Sequence, residues 1–254
     1  MVRPNKAGMN KKKMEKISII IPTHNSKDVI GKCLSSLPGF DDEYLWETIV
    51  VDSSNDGTLE YVKRMFPYVK VHSVTYGSHC GHNRNIGVEQ AMGDVLAFLD
   101  SDTVVSAKWL DAIRIYRERG FDAIAGYTSY KYQRVPMWID GQDITWPTCN
   151  IAYSRRLMDD VGQFREDMSR GSDCDYNYRL IKKGYIIGFN PRMWVEHRHR
   201  TNLRGFFGQS IGNGRARYQL RKIHKDLRFG ISPLGTVRKG LGAYGYVTAR
   251  FKRQ

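Results

Sequence analysis

Three polar loops in this chain each follow an apolar run, and two of them are acidic. Asp52 stands behind Thr48-Ile49-Val50-Val51 and opens the stretch Ser53-Ser54-Asn55-Asp56-Gly57. Asp100-Ser101-Asp102 stands behind VLAFL at 95–99, and Pro22-Thr23-His24-Asn25 follows Ile17 to Ile21. Two carboxylates one residue apart offer hard oxygen ligands. Such a pair suits Mg²⁺ or Mn²⁺ bridged to a diphosphate, because Mg²⁺ takes one or two protein carboxylates plus phosphate oxygens. Alternate side chains point to opposite faces of a regular strand, so both carboxylates serve one ligand only if the chain turns there. Standing alone, Asp-x-Asp reads as a solvated turn; the buried run before it shifts the reading towards a site. A carboxylate at Asp52 can accept hydrogen bonds from a base N–H or a ribose hydroxyl, or it can cap its own turn. His79 and His82 lie three apart without a further ligand pattern and read as loop and helix-start residues.

A sheet must bring these loops together. The β-branched run at 17–21 reads as a buried parallel strand. Val29, Ile30, Cys33, Leu34 and Leu37 recur at helical spacing, with Ser26 as the expected N-cap. A second strand at 48–51 leads into a helix opening at Gly57-Thr58, with Leu59, Val62 and Met65 as its expected buried face. Strands over 69–74, 95–99 and 123–125 alternate with helices over 83–92 and 109–117. This order predicts a mostly parallel α/β sheet with helices on both faces. Beyond about residue 127 the pattern is less regular, although a helix over 173–183 is clear. Ligands of such sheets bind outside the carboxyl ends of the strands, which is where the three loops fall. No GxGxxG follows the first strand and no GxxxxGK[ST] occurs anywhere, so neither a Rossmann dinucleotide site nor a P-loop is supported.

The 254 residues carry a formal charge of +14, with 41 % apolar and 26 % charged residues. This is a globular composition with ample core. The four cysteines, Cys33, Cys80, Cys149 and Cys174, form no CxxC pair, and read as free thiols in a reducing cytosol. No secretory signal and no membrane-spanning run is recognisable. The charge is unevenly placed: +5 over 1–16, −4 over 17–197 and +13 over 198–254. The chain thus divides into a basic arm, a mildly acidic body and a basic extension that carries seven aromatic residues. Nucleic acid, an anionic membrane or an acidic substrate would each suit that extension.

Five segments in order resemble family 2 glycosyltransferases of the GT-A fold, of polysaccharide and cell-envelope type. They are IIIPTHN (19–25), IVVDSSNDGT (49–58), GHNRNIGVEQAMGDVLAFLDSD (81–102), TCNIAYSRRLMDDVGQF (148–164) and GSDCDYNYRLIKKGY (171–185). The resemblance implies a Rossmann-like, mostly parallel sheet over 17–197, and inverting transfer from a nucleotide-diphosphate sugar to a hydroxyl acceptor, a glycan or a polyprenyl-linked glycan. It implies that Thr23, Asn25 and Asp52 hold the nucleoside, that Arg84 lies near the diphosphate or base, and that Asp100 contacts the ribose. Asp102 would bind Mn²⁺ or Mg²⁺, with His197 beside it; a neutral imidazole is a ligand for Mn²⁺. Asp173 would be the general base. The family's usual acidic pair reads Ser172-Asp173 here, so Asp175 competes for that role, and both acids also suit a helix N-terminus. Arg215 and Arg217, in FFGQSIGNGRARY (206–218), would meet a donor or lipid phosphate.

Two rival readings fit the residues less well. A sugar nucleotidyltransferase expects a glycine-rich basic loop after the first strand, and PTHNSKDV lacks the glycines. A nucleic-acid-binding protein would explain the basic extension but not the convergent aspartates, so no nucleic acid is expected. The expected location is cytoplasmic, peripheral on the inner face of the membrane, with the extension docked on anionic lipid.

Overall fold

The computed structural model describes residues 15–39, 42–129, 137–197 and 203–229, and the side chains of all of these except 203–209 and 229. The basic arm up to residue 14 and the extension from residue 230 lie outside the described residues, and with them most of the expected membrane-docking segment.

The first half alternates as its hydrophobic runs predict: β1 (Ile17–Thr23), α1 (Ile30–Ser36), β2 (Leu45–Asp52), α2 (Thr58–Met65), β3 (Lys70–Ser73), α3 (Cys80–Gln90) and β4 (Val95–Leu99). There follow β5 (Thr103–Val105), α4 (Trp109–Glu118), β6 (Ala123–Ser129), β7 (Met137–Ile139), β8 (Gln142–Asp143), β9 (Asn150–Ser154), α5 (Arg155–Val161), α6 (Ser172–Lys182), β10 (Ile187–His197), α7 (Leu203–Ile223) and β11 (Arg228–Phe229). Eight strands form one sheet in the order β3-β2-β1-β4-β9-β6-β10-β5, and β11, β7 and β8 form a small second one. The large sheet is mostly parallel. β9 runs antiparallel between β4 and β6, and β5 antiparallel at the edge beside β10.

Both faces of the sheet are covered, and the chain alternates accordingly. Ile19, Ile21, Val50, Ala97 and Leu99 face the core beneath α1, α2 and α4, while Ile20, Ile49, Val51, Leu96 and Phe98 face the core beneath α3, α5 and α6. Burial on both sides turns these strands into continuous apolar runs.

Some local details differ from the expectations. β1 continues through Pro22 to Thr23. Its pairing with β4 stops at Ile20, so the missing proline N–H costs no ladder bond on that side. Ser26 does not cap α1 with its side chain: its carbonyl accepts from the Val29 and Ile30 amides, and its hydroxyl is engaged elsewhere. Met65 is exposed and Phe66 takes its place in the core beside Val62, because α2 ends at Met65 and the chain folds back there.

Candidate active site

α3 is the piece that positions the site. Its buried residues are Gly81, Asn83, Arg84, Asn85 and Gly87, so it packs a polar face where a helix ordinarily packs an apolar one. Gly87 permits this: a Cβ there would collide with Ile20 of β1. With the helix seated so closely, Asn83 and Arg84, one turn nearer its N-terminus, stand over the carboxyl ends of the strands. Asn83 donates to Ser53 Oγ in the loop after β2 at 3.1 Å. Arg84 reaches Asp100 Oδ1 after β4 at 3.4 Å and Ser172 Oγ at the start of α6 at 3.5 Å. Asn85 holds the 164–166 loop by bonding both the amide and the carbonyl of Phe164. One helical turn thus ties together three loops that are far apart in the chain.

The first two loops form one unit. Asp52 is buried, and its Oδ1 accepts from Thr23 Oγ1 at 2.5 Å and from Ser54 Oγ at 2.6 Å. Asn25 adopts a left-handed backbone with φ 49°, tolerable for asparagine. Its amide donates to Ser54 Oγ and its Oδ1 accepts from the Asn55 amide. The Ser26 and Ser101 hydroxyls meet at 2.8 Å, joining this unit to the Asp100 loop.

The chain does turn at Ser101. His197 Nε2, at the end of β10, lies 3.7 Å from Asp100 Oδ2 and 3.5 Å from Asp102 Oδ1. Cys149, one residue before β9, brings its sulfur into the same cluster. Burial would raise the Asp100 carboxyl, but the neighbouring His197 imidazole and the charge of Arg84 outweigh it and hold it below the ordinary carboxylate value. Burial likewise opposes the charge of Arg84, and Cys80, Asp100 and Asp173 more than offset it. The separations around His197 exceed a hydrogen bond. They lie close to the ~3.0–3.4 Å edges expected between ligands each about 2.1 Å from a shared ion. Each of these two separations by itself suits a pair of ligands on one divalent cation, while the three ligand atoms that all lie within 4.8 Å of one another are those of Asp100, Cys149 and His197.

The two acids of α6 have different surroundings. Asp175 is wholly buried, ion-paired with Arg179 at 2.9 Å and hydrogen-bonded to His224, just past the end of α7, at 2.8 Å. Burial would raise its carboxyl, and His224 and Arg179 together hold it low. Asp173 is partly exposed, with Oδ1 accepting from the Cys174 amide at 2.9 Å, and its charge is felt at Arg84 and at Tyr153. Asp173 therefore faces the side of the Arg84 cluster, while Asp175 is spent on anchoring α7.

Thr23, Asn25, Asp52, Arg84, Asp100, Asp102 and His197 are linked through these contacts, and Ser172, the neighbour of Asp173, joins them through Arg84. Arg215 is exposed and Arg217 half-buried on α7, flanking Ala216, which packs at Gly171 just before α6. His82 pairs with Glu166, away from any ligand cluster. Sequence reasoning missed Asn83, Ser26, Ser101, Ser172 and Cys149. Their roles depend on long-range contacts, and only Cys149 carries a chemistry legible from its residue type, that of a soft ligand.

The model of the family described as "Glycosyl transferase family 2" matches residues 18–184. The glycosyltransferase AglE of Haloferax volcanii is 26 % identical over 196 residues, 68 % of this chain and 64 % of that protein. The chain therefore spans less than two thirds of that relative's length. Among solved structures, the mannosyltransferase PcManGT from Pyrobaculum calidifontis, in complex with GDP-Man and Mn²⁺, aligns with a TM-score of 0.64 at 18 % identity, covering 97 % of this chain and 74 % of its own. S. aureus TarS 1–349 in complex with UDP-GlcNAc aligns with a TM-score of 0.64 at 20 % identity, covering 94 % and 73 %. Both share the fold.

Proposed function

The chain belongs to glycosyl transferase family 2, and from that premise we propose that it transfers a sugar from a nucleotide-diphosphate donor to a hydroxyl of a cell-envelope glycan or lipid-linked glycan, with inversion. The observation that carries this reading is the Arg84 bridge, which draws Asp100 and the start of α6 to one place.

Thr23, Asn25 and Asp52 receive the nucleoside. The interlocked hydroxyls of Thr23 and Ser54 aim the Asp52 carboxylate, so that a base N–H or ribose hydroxyl meets a preset acceptor. Asp100 faces the ribose and Arg84 the diphosphate. Asp102 and His197 would hold a divalent cation, Mn²⁺ or Mg²⁺, which when bound neutralises charge on the leaving diphosphate. PcManGT was solved with GDP-Man and Mn²⁺, which supports a donor and a cation of this kind here. Asp173 accepts the proton of the acceptor hydroxyl as its oxygen attacks the anomeric carbon. The bond to the diphosphate oxygen breaks on the opposite side, and a single displacement inverts the configuration. The burial of Asp175 between Arg179 and His224 favours Asp173 for this task. Arg215 and Arg217 face a phosphate of donor or acceptor. No helix among the described residues is long and apolar enough to cross a membrane. Docking at the inner face of the membrane through the basic extension 198–254 belongs to the same proposal, as does the arm–body–extension division of the chain.

The test pairs donor binding with transfer. Nucleotide sugars are screened by calorimetry with Mn²⁺ present, and the donor that binds is assayed for transfer. Asp173→Asn retains donor binding and loses transfer by roughly 10²–10⁴-fold, the usual contribution of a positioned base. Full transfer by that variant overturns the assignment.

A further inference from the structure

The donor chemistry makes no use of Cys149. That residue is buried and carries no disulfide. Its Sγ, a carboxylate oxygen of Asp100 and a ring nitrogen of His197 lie within 4.8 Å of one another. Acidic groups gather at many surfaces without an ion, but these three donors stand at ends of strands of one sheet. Asp100 follows β4, Cys149 precedes β9 and His197 ends β10. Leu99 pairs directly with Asn150, which fixes the first two side by side. Asn150, wholly buried, then locks the backbone next to Cys149. Its Oδ1 accepts from Trp109 Nε1 at 2.9 Å, and its Nδ2 donates to the carbonyls of Tyr127 and Met193, each at 2.8 Å. The backbone that carries Cys149 is thereby fixed beside Asp100.

Its composition is also selective. Mg²⁺ takes oxygen ligands, whereas thiolate with imidazole favours softer ions. Three protein ligands drawn from Cys, His and Asp leave a tetrahedral ion one open position. We infer that Asp100, Cys149 and His197 form a site for a thiophilic divalent cation of the Zn²⁺ class, which shares His197 with the harder cation of the donor reading and excludes it. Binding breaks the Cys149 S–H bond and forms a metal–sulfur bond. The proton leaves to solvent and no electron changes hands. The inference rests on the placement of the three donors and does not require sugar transfer.

The experiment uses the full chain, stripped with a chelator and titrated with Co²⁺ and then Zn²⁺. A cobalt–thiolate bond gives a near-ultraviolet charge-transfer band that oxygen and nitrogen ligands do not. One equivalent of Co²⁺ develops the band and Zn²⁺ bleaches it. Cys149→Ser lacks the band and binds Zn²⁺ at least about tenfold more weakly, since loss of even an outer partner costs that much. Cys149→Ala makes the same measurement without a buried hydroxyl, and Cys80→Ser and Cys174→Ser keep the band. No band in the unsubstituted chain, a band that survives Cys149→Ser and Cys149→Ala, or one lost in Cys80→Ser or Cys174→Ser overturns the inference. Transfer with Mn²⁺ is read separately: a band without transfer leaves this site standing and removes the donor reading, and transfer without a band does the reverse.

Discussion

The two ends of the large sheet handle charge in opposite ways. At the end where β1 and β4 begin, a cavity of about 570 Å³ is lined by Glu15, Asp94, Arg117, Asp122, Arg155 and Arg156, among others. Its charges close on themselves. Arg117 pairs with Glu15 at 2.8 Å and with Asp122 at 3.0 Å, Arg156 pairs with Asp122, and Arg155 donates to the carbonyls of Gly93 and Ala91. At the carboxyl end, carboxylates are gathered next to one another. They are served by hydroxyls, by Arg84 at a long 3.4 Å, and by His197 at distances beyond a hydrogen bond. The first arrangement spends its polar groups on holding the chain. The second holds like charges together, which destabilises the chain unless a ligand completes the set. Polarity alone would not separate the two; the pairing of the charges does.

The largest effect that sharpens this contrast is on activity. Asp102→Asn removes one of two adjacent carboxylates. Transfer measured with Mn²⁺ falls about 10²–10³-fold, as when a group that stabilises developing charge is lost. Thermal unfolding of the same variant shows a Tm unchanged or raised. A Tm lowered by several degrees would mean that the loop acids stabilise the fold, and the contrast would fail.

At the other end the expected signs reverse. Arg117→Met leaves Glu15 and Asp122 without their shared partner, and breaking a largely buried pair costs about 3 kcal/mol. In a chain of this size that lowers Tm by roughly 6–12 °C. Donor affinity, measured by calorimetry below the transition, stays within twofold. A large loss of donor binding would show that this cavity communicates with the site.

Acid adds a second axis. Burial would raise the Asp122 carboxyl, but Ser154, Arg117 and Arg156 outweigh it and hold it low. A depressed carboxyl contributes stability above its unfolded value, and that stability is lost as pH falls through the folded value. Denaturant midpoints therefore stay level from pH 7 to about pH 5 and drop below about pH 4, near the unfolded carboxyl value. In Arg117→Met the Asp122 carboxyl moves up and its share of the drop shrinks. An acid limb identical in the two chains would remove Asp122 from the account.

How much of this was legible beforehand depends on the range of the contacts. The βα order, and the acids that end its strands, are written in short windows: VLAFL followed by Asp100, IVV followed by Asp52. The antiparallel β9 was not legible. Asn150–Ser154 is a five-residue run without alternation, buried throughout, and nothing local reveals that it inserts between β4 and β6. Arg179 lies one turn from Asp175 and could be read as its partner, but His224 lies 49 residues on and decides that Asp175 is structural. Cys149 looked like an idle thiol because His197 and Asp100 reach it only through the sheet.

The smallest test compares one hydroxyl at each end. Ser154 caps α5, accepting from the Leu157 amide at 3.2 Å, and donates to Asp122 at 2.8 Å. Ser154→Ala loses about 1 kcal/mol, the usual cost of removing such a cap, and leaves transfer unchanged. Ser26 is not a cap; its hydroxyl ties the first loop to Ser101 between the two site aspartates. Ser26→Ala therefore changes stability by no more than about 1 kcal/mol, the net worth of one hydrogen bond. It raises the KM for the donor several-fold, because the Asp100–Asp102 turn loses its link to the nucleoside loops. Equal effects of the two substitutions on stability and KM would mean that a hydroxyl serves the same purpose at either end, and the division between a closed end and an open one would fail at the scale of single hydrogen bonds.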